Sequence, residues 1–169
     1  MIGSGRSERC CGTRIALPKP QGGFIPWLRL RPLYIRQPSW FNDKFFAEVS
    51  GPLVTERFFK RHKGVGADGS APDTEVIRAA RHNIRHHLAY VGWLARKRDW
   101  LAGNRLSYAD LSAAAHLSAA DYLGDVPWNE DETAKDWYAR VKSRPSFRSI
   151  LAETVAGIPP SATYADLDF

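Results

Sequence analysis

The 169-residue sequence has only two cysteines, the neighbours Cys10 and Cys11. Adjacent cysteines cannot staple a fold, and neither a Cys-x-x-Cys pair nor a Cys/His zinc spacing occurs. A disulfide scaffold and a zinc module are therefore set aside, and a reducing cytoplasm is the expected compartment. No run of about 18 apolar residues is present, so no transmembrane helix is expected. The first 39 residues carry arginines but no continuous apolar segment, unlike a secretory signal. The glycines between 64 and 69 lack a trailing Gly-Lys-Ser/Thr, so that stretch reads as a plain loop and not a phosphate cradle. A basic face interleaved with exposed aromatics is also missing, which argues against nucleic acid as a partner.

What the chain does have is apolar mass and an uneven charge. Hydrophobic residues make up 44% and include six tryptophans, enough for a real core and against disorder throughout. The net charge of +6 comes entirely from residues 1–39, which hold seven Lys/Arg and one acid. That tract carries five prolines and five glycines with no sustained period, so it reads as a disordered basic extension, or as a misplaced start or shifted frame. Beyond it the charge is polarised: residues 40–105 have twelve basic and seven acidic groups, residues 106–169 five and ten. Such a dipolar layout orients a protein partner more than it adds affinity.

From Trp40 the pattern becomes helical. Phe41, Phe45, Val49 and Leu53 recur every four residues, and Gly51-Pro52 is expected to kink or interrupt that helix. A long helix from Ser70 to about Asp99 has Ile77, Ala80, Ile84, Leu88, Val91 and Leu94 on its buried side. Trp100 to Gly103 is a turn. Leu106-Ser107-Tyr108-Ala109-Asp110-Leu111 then has the spacing of a capping box (Ser107, Asp110) inside a hydrophobic staple (Leu106, Leu111). The helix it opens, Ala109 to Leu123, is nearly all alanine, serine and leucine, and is expected to be packed among other helices on every side. As for other lost caps, Asp110→Ala should cost about 0.5–2 kcal/mol. Further helices are expected at about 131–142 and 147–155. The fold class is all-α: a bundle of five or six helices over residues 40–157, with an extended tail at 158–169.

Few residues suggest chemistry. His82 and His86 share a helix face at i, i+4, but Asn83 stands where a hydrolytic zinc helix needs Glu, so all three of His82, His86 and His87 read as solvent-facing. His116 in the central helix reads as a hydrogen-bonded core histidine, and Asp121 as a buried hydrogen-bonded acid. No catalytic, cofactor or metal residue is expected. The C-terminus is more suggestive: Tyr164, Asp166, Leu167, Asp168 and Phe169 alternate acid with apolar behind Pro159-Pro160. They form either a short peptide ligand for a partner or a frayed end.

The segment Trp100-Leu-Ala-Gly103, the capping box, and Ala113 through Gly124 resemble the C-terminal helical domain of the glutathione S-transferase superfamily. Asp136 to Arg140 and Ser143 to Phe147 resemble the segment after its central helix, and the likeness covers about residues 40–169. More narrowly, Trp40 to Phe46, Gly51-Pro52-Leu53 and the last six residues resemble the FzlA-type group of alphaproteobacterial division proteins. The resemblance implies a non-catalytic, dimeric, cytoplasmic protein that binds FtsZ filaments, promotes constriction and signals to septal division proteins. The alternative it allows is the hydrophobic-substrate domain of a glutathione transferase. Family members place a thioredoxin-like, glutathione-binding domain ahead of this one. Here 39 residues without strand periodicity precede Trp40, so the chain reads as truncated and no glutathione residue can be assigned. A full member would bury the Phe41/Phe45 side against that domain, so the chain is expected to expose an apolar patch, to self-associate, or to be a truncated gene model.

Overall fold

The computed structural model describes residues 38–62 and 71–167; the basic tract, the glycine-rich loop at 63–70, and Asp168 and Phe169 lie outside the described residues. Residues 40–62 form one helical rod, α1. Its wide turns at Trp40–Ser50 and Val54–Phe59 flank α-helical residues Gly51–Leu53, and Lys60–His62 ends it. In the wide turns the Gly51 N–H reaches the Phe46 carbonyl, and the Lys60 N–H reaches that of Thr55, each five residues back. A kink or an interruption was expected at Gly51-Pro52; the rod is not interrupted there and runs on through Pro52. Pro52 has no N–H to donate into the preceding turn. In that turn the Glu48 carbonyl accepts from Asn83 Nδ2 on the neighbouring helix, at 3.3 Å.

The remaining helices follow local signals. Asp73 caps α2, Thr74–Lys97, by accepting from the N–H groups of Glu75 and Val76, so the helix starts four residues later than periodicity suggested. Its buried side is Ala80, Ile84, His87, Leu88, Val91, Gly92 and Leu94. Trp100 and Gly103 exchange two backbone bonds and turn the chain into α3, Tyr108–Tyr122. Gly124 (φ 72°) and a single 3₁₀ turn at Trp128–Glu130 lead to α4, Glu132–Lys142. Finally, α5 spans Pro145–Ala152. It begins two residues before the expected start because Pro145 sits in its first turn, where a missing N–H costs nothing.

These five helices form one bundle, with α1 packed on α3 and α2, α4 on α2 and α3, and α5 against α4. Among the described residues the only β features are isolated bridges, Trp100 to Gly103 and Val155 to Ile158. Two expectations need correction. Phe41 and Phe45 are fully buried inside the bundle, together with Val49 and Leu53, because α1 turns that face onto α2 and α3. And α3 is not enclosed on every side. Ala109, Ala113, Ala114, Leu117 and Ala120 are buried, whereas Tyr108 (64% exposed), Leu111 and Ala115 are open. An exposed apolar surface does exist, but it belongs to Phe46, Phe59 and this α3 stripe.

Candidate functional site

The C-terminal segment is seated on the bundle. Tyr164 is buried, its ring meets Tyr122 edge-on at 4.9 Å, and its hydroxyl donates to the Ile150 carbonyl at 3.3 Å. Ser161 donates to the Asp121 carbonyl, and Tyr122 donates to that of Ile158. The strongest hold is Lys142, fully buried at the end of α4, whose Nζ donates to the carbonyls of Thr163 (2.9 Å) and Asp166 (2.6 Å). Its ammonium lies 3.7 Å from Asp121 Oδ2. Burial pushes the Asp121 carboxyl up and the Lys142 ammonium down from their ordinary values, and each charge partly offsets the other's loss of water. Asp121 also accepts from the Trp128 indole at 2.8 Å.

The tail is therefore not a free extended strand from 158 onward. A turn at 162–164 tucks Tyr164 into the chain's own body, while Asp166 is exposed and Leu167 half-buried. Of the five expected docking residues, Tyr164 is occupied internally, Asp166 and Leu167 lie at the exit, and Asp168 and Phe169 fall outside the described residues. Lys142 was missed as the anchor. A signal for it existed: it stands four residues after Tyr138 and eight after Ala134, in register with the apolar face of α4.

The capping box at the head of α3 is formed, with Asp110 Oδ2 accepting from the Ser107 N–H at 2.9 Å. Of the staple pair, Leu106 is half-buried and Leu111 is 42% exposed. Further along α3, His116 is tied to α1. Its Nδ1 lies 3.0 Å from Ser50 Oγ and its Nε2 lies 3.3 Å from Asn42 Oδ1, which also accepts from Ser112. Because the Asn42 oxygen only accepts, His116 donates from Nε2 and receives the Ser50 hydroxyl at Nδ1. Burial lowers its pKa. The Gly51 N–H beside Ser50 is already spent on the Phe46 carbonyl and cannot serve an oxyanion, so this chain ties two helices together. Next to it a cavity of about 210 Å³ is lined by Phe46, Val54, Phe59, Ala115 and Ala119.

The three α2 histidines divide. His82 and His86 are exposed, edge to face, with Nε2 atoms 3.4 Å apart. His87 is buried, contrary to the solvent-facing expectation, because it follows Ile84 by three and Ala80 by seven and so falls on the apolar side of the helix. It receives the Trp40 indole N–H at Nδ1 (3.1 Å) and meets Glu48 Oε2 at Nε2 (3.1 Å). Among the described residues no group of three or more His, Cys, Asp or Glu is arranged to hold a metal ion. No helix among them is long and apolar enough to cross a membrane.

Comparison with known proteins places this architecture. The chain is 51% identical over 131 residues to FtsZ-localized protein A of Caulobacter vibrioides, covering 78% of this chain and 56% of that protein. The solved FzlA from C. crescentus matches with a TM-score of 0.77 at 46% identity, over 89% of this chain and 64% of that one. A glutathione S-transferase structure from Rhodospirillum rubrum F11 matches at 0.78 and 52% identity, over 83% of this chain and 62% of that one. The chain thus spans less than two thirds of the length of each of these relatives. The family pattern of the glutathione S-transferase C-terminal domain fits residues 43–145, from the first turn of α1 to the start of α5, and the chain belongs to that family.

Proposed function

We propose that this chain is an FtsZ-binding division protein of the FzlA kind, non-catalytic, acting in the cytoplasm on FtsZ filaments and through them on septal division proteins. The observation that carries this reading is the 51% identity to FtsZ-localized protein A. The seated tail supports it. Lys142 and Tyr164 fix the direction in which the chain leaves the bundle, so Asp166 and Leu167 are presented from a fixed base. A preorganised peptide ligand loses less entropy on docking than a frayed one.

A second reading is favoured by one observation, the apolar cavity beside α1 and α3 in a fold shared with solved glutathione S-transferases. On that reading the cavity is part of a hydrophobic substrate site, and the chain contributes to glutathione conjugation without carrying a catalytic residue itself.

Co-sedimentation of the full chain with GTP-assembled FtsZ separates the two. The filament reading expects the folded chain in the pellet, and a folded chain that stays in the supernatant sinks it. A version ending at Leu167 tests the tail without removing Tyr164, which belongs to the core. Its affinity should fall about tenfold, the weight of roughly 1.4 kcal/mol lost with an apolar anchor and its carboxylates. Undiminished pelleting would move the filament contact onto the helices.

A further inference from the structure

The Trp40–His87–Glu48 chain has a property that the division reading does not use. An indole N–H can only donate, so the His87 Nδ1 facing it at 3.1 Å must present a lone pair. The single proton of a neutral imidazole is then at Nε2, directed at Glu48 Oε2 3.1 Å away. Both partners are on α1, and His87 is on α2. One neutral side chain, in one tautomer, therefore closes two bonds across the interface of the two helices.

A second proton can go only to Nδ1. There it would set N–H against N–H, turning the Trp40 bond into a repulsive contact. On the other side the same proton strengthens the contact with Glu48, as a hydrogen bond becomes a charge-assisted one. The two ends of the ring thus respond in opposite senses, so protonation does not merely weaken the site but exchanges one arrangement for another. We propose that His87 is a proton-operated latch: neutral, it pins the first turn of α1 to α2 through Trp40, and protonated, it releases Trp40 while keeping hold of Glu48.

The surroundings fit a part that moves. Trp40 and Tyr90, with Lys44, Glu48 and Asn83, line a cavity of about 470 Å³ beside the latch, so a released indole has space to enter. Trp40 is only partly buried, near the start of the rod. The charged groups facing His87 are Glu48 and Lys44 from α1 and His86 from its own helix. Burial opposes the added proton most, with Lys44 and His86 acting the same way, while Glu48 favours it; the balance holds His87 below the ordinary imidazole value. Lys44 is itself paired with Glu48, and that hydrogen bond lowers the carboxylate from its ordinary value and favours the anion. The latch is therefore closed at neutral pH and opens on acidification. The sign for stability follows. A folded-state pKa below the unfolded one means that the unfolded chain binds more protons, so stability is lost as pH falls through the folded value.

The test is ¹⁵N NMR of the full chain from about pH 7.5 down through and below the ordinary imidazole range, while the chain stays folded. A His87 ring that takes up no proton in the folded chain overturns the proposal. The Trp40 indole resonance is assigned by its absence in Trp40→Phe. The latch requires the Trp40 indole N–H to shift and exchange faster with the same midpoint as the His87 ring. In His87→Gln, which does not titrate, the Trp40 resonance should be independent of pH. A His87 ring that titrates while the Trp40 indole stays unchanged overturns the proposal, as does an unaltered Trp40 titration in His87→Gln. Trp40→Phe supplies an independent arm that holds even if His87→Gln fails to fold. With the opposing donor gone, the His87 midpoint must rise, and a midpoint that stays or falls rejects the latch.

Discussion

Asp110 shows how much one side chain can carry. Its Oδ2 accepts from the Ser107 N–H and hydroxyl, and its Oδ1 accepts from the Leu101 N–H and the Trp137 indole, all at 2.7–2.9 Å and fully buried. The sequence shows only the box, the Ser107 end of this arrangement. The other end reaches across the bundle, joining the turn before α3 to the centre of α4. Asp110→Ala should therefore cost more than a lost cap. It strands the indole, the Leu101 amide and the Ser107 amide, each at about 1–3 kcal/mol. We expect a loss of at least ~3 kcal/mol in urea-induced unfolding; a loss near 1 kcal/mol would mean that water replaces these bonds. Lys142 and His87 are the same kind of residue, polar groups on an apolar register whose partners come from elsewhere in the chain. Their register is legible, but their roles are not, because a lysine near a helix end reads equally well as a favourable charge at the dipole's negative pole.

At the scale of elements, the contact of α2 with α4 turns on a glycine. Asp131 caps α4 by accepting from the Ala134 N–H at 3.0 Å, and its carboxylate also meets Arg96 from α2. That carboxylate lies over Gly92, where an added methyl would overlap it. Helix propensity alone makes Gly92→Ala favourable by about 0.8–1 kcal/mol. Overpacking typically costs about 1–3 kcal/mol, and here it displaces a cap as well. The second effect should win, giving a net loss of about 1–2 kcal/mol, seen as a lower urea midpoint with unchanged slope. Gly103→Ala, where a methyl meets nothing within 4 Å, is the control and should leave the unfolding free energy within about 0.5 kcal/mol. A neutral Gly92→Ala would show that α4 can slide without losing its cap. The elements themselves were mostly legible. Ser107 announced its helix, and the apolar spacing of α2 marked most of the face that the structure buries. The continuity of α1 through Pro52 was not, because neither the wide turns around it nor the Asn83 side chain that reaches the Glu48 carbonyl from 35 residues away leaves a mark in the periodicity. Periodicity reports a face and its spacing, not which element supplies the missing partner.

For the whole molecule, the question is what covers the open side. Phe46 and Phe59 are 53% and 46% exposed and line one cavity with Ala115 and Ala119, and Tyr108 and Leu111 continue the same side of α3. The sequence led to an exposed patch through Phe41 and Phe45. The structure keeps the patch and changes its residues, since spacing four apart marks a stripe without saying how far round the rod burial extends. Apolar area of this kind is worth about 25 cal/mol per Å² once it leaves water, whether against a second copy or another body. If the patch drives self-association, sedimentation velocity should show the sedimentation coefficient of the chain rising with concentration. A Phe46→Ser, Phe59→Ser variant should stay at the monomer value at the same concentrations. Both rings are about half in water already, so the double change should cost the fold no more than about 1–3 kcal/mol. The helical signal at 25 °C should therefore be retained, as the interpretation requires. Concentration dependence surviving in the double variant would assign association to another face. A parent chain that is monomeric at every concentration would leave the patch to a partner other than its own copy.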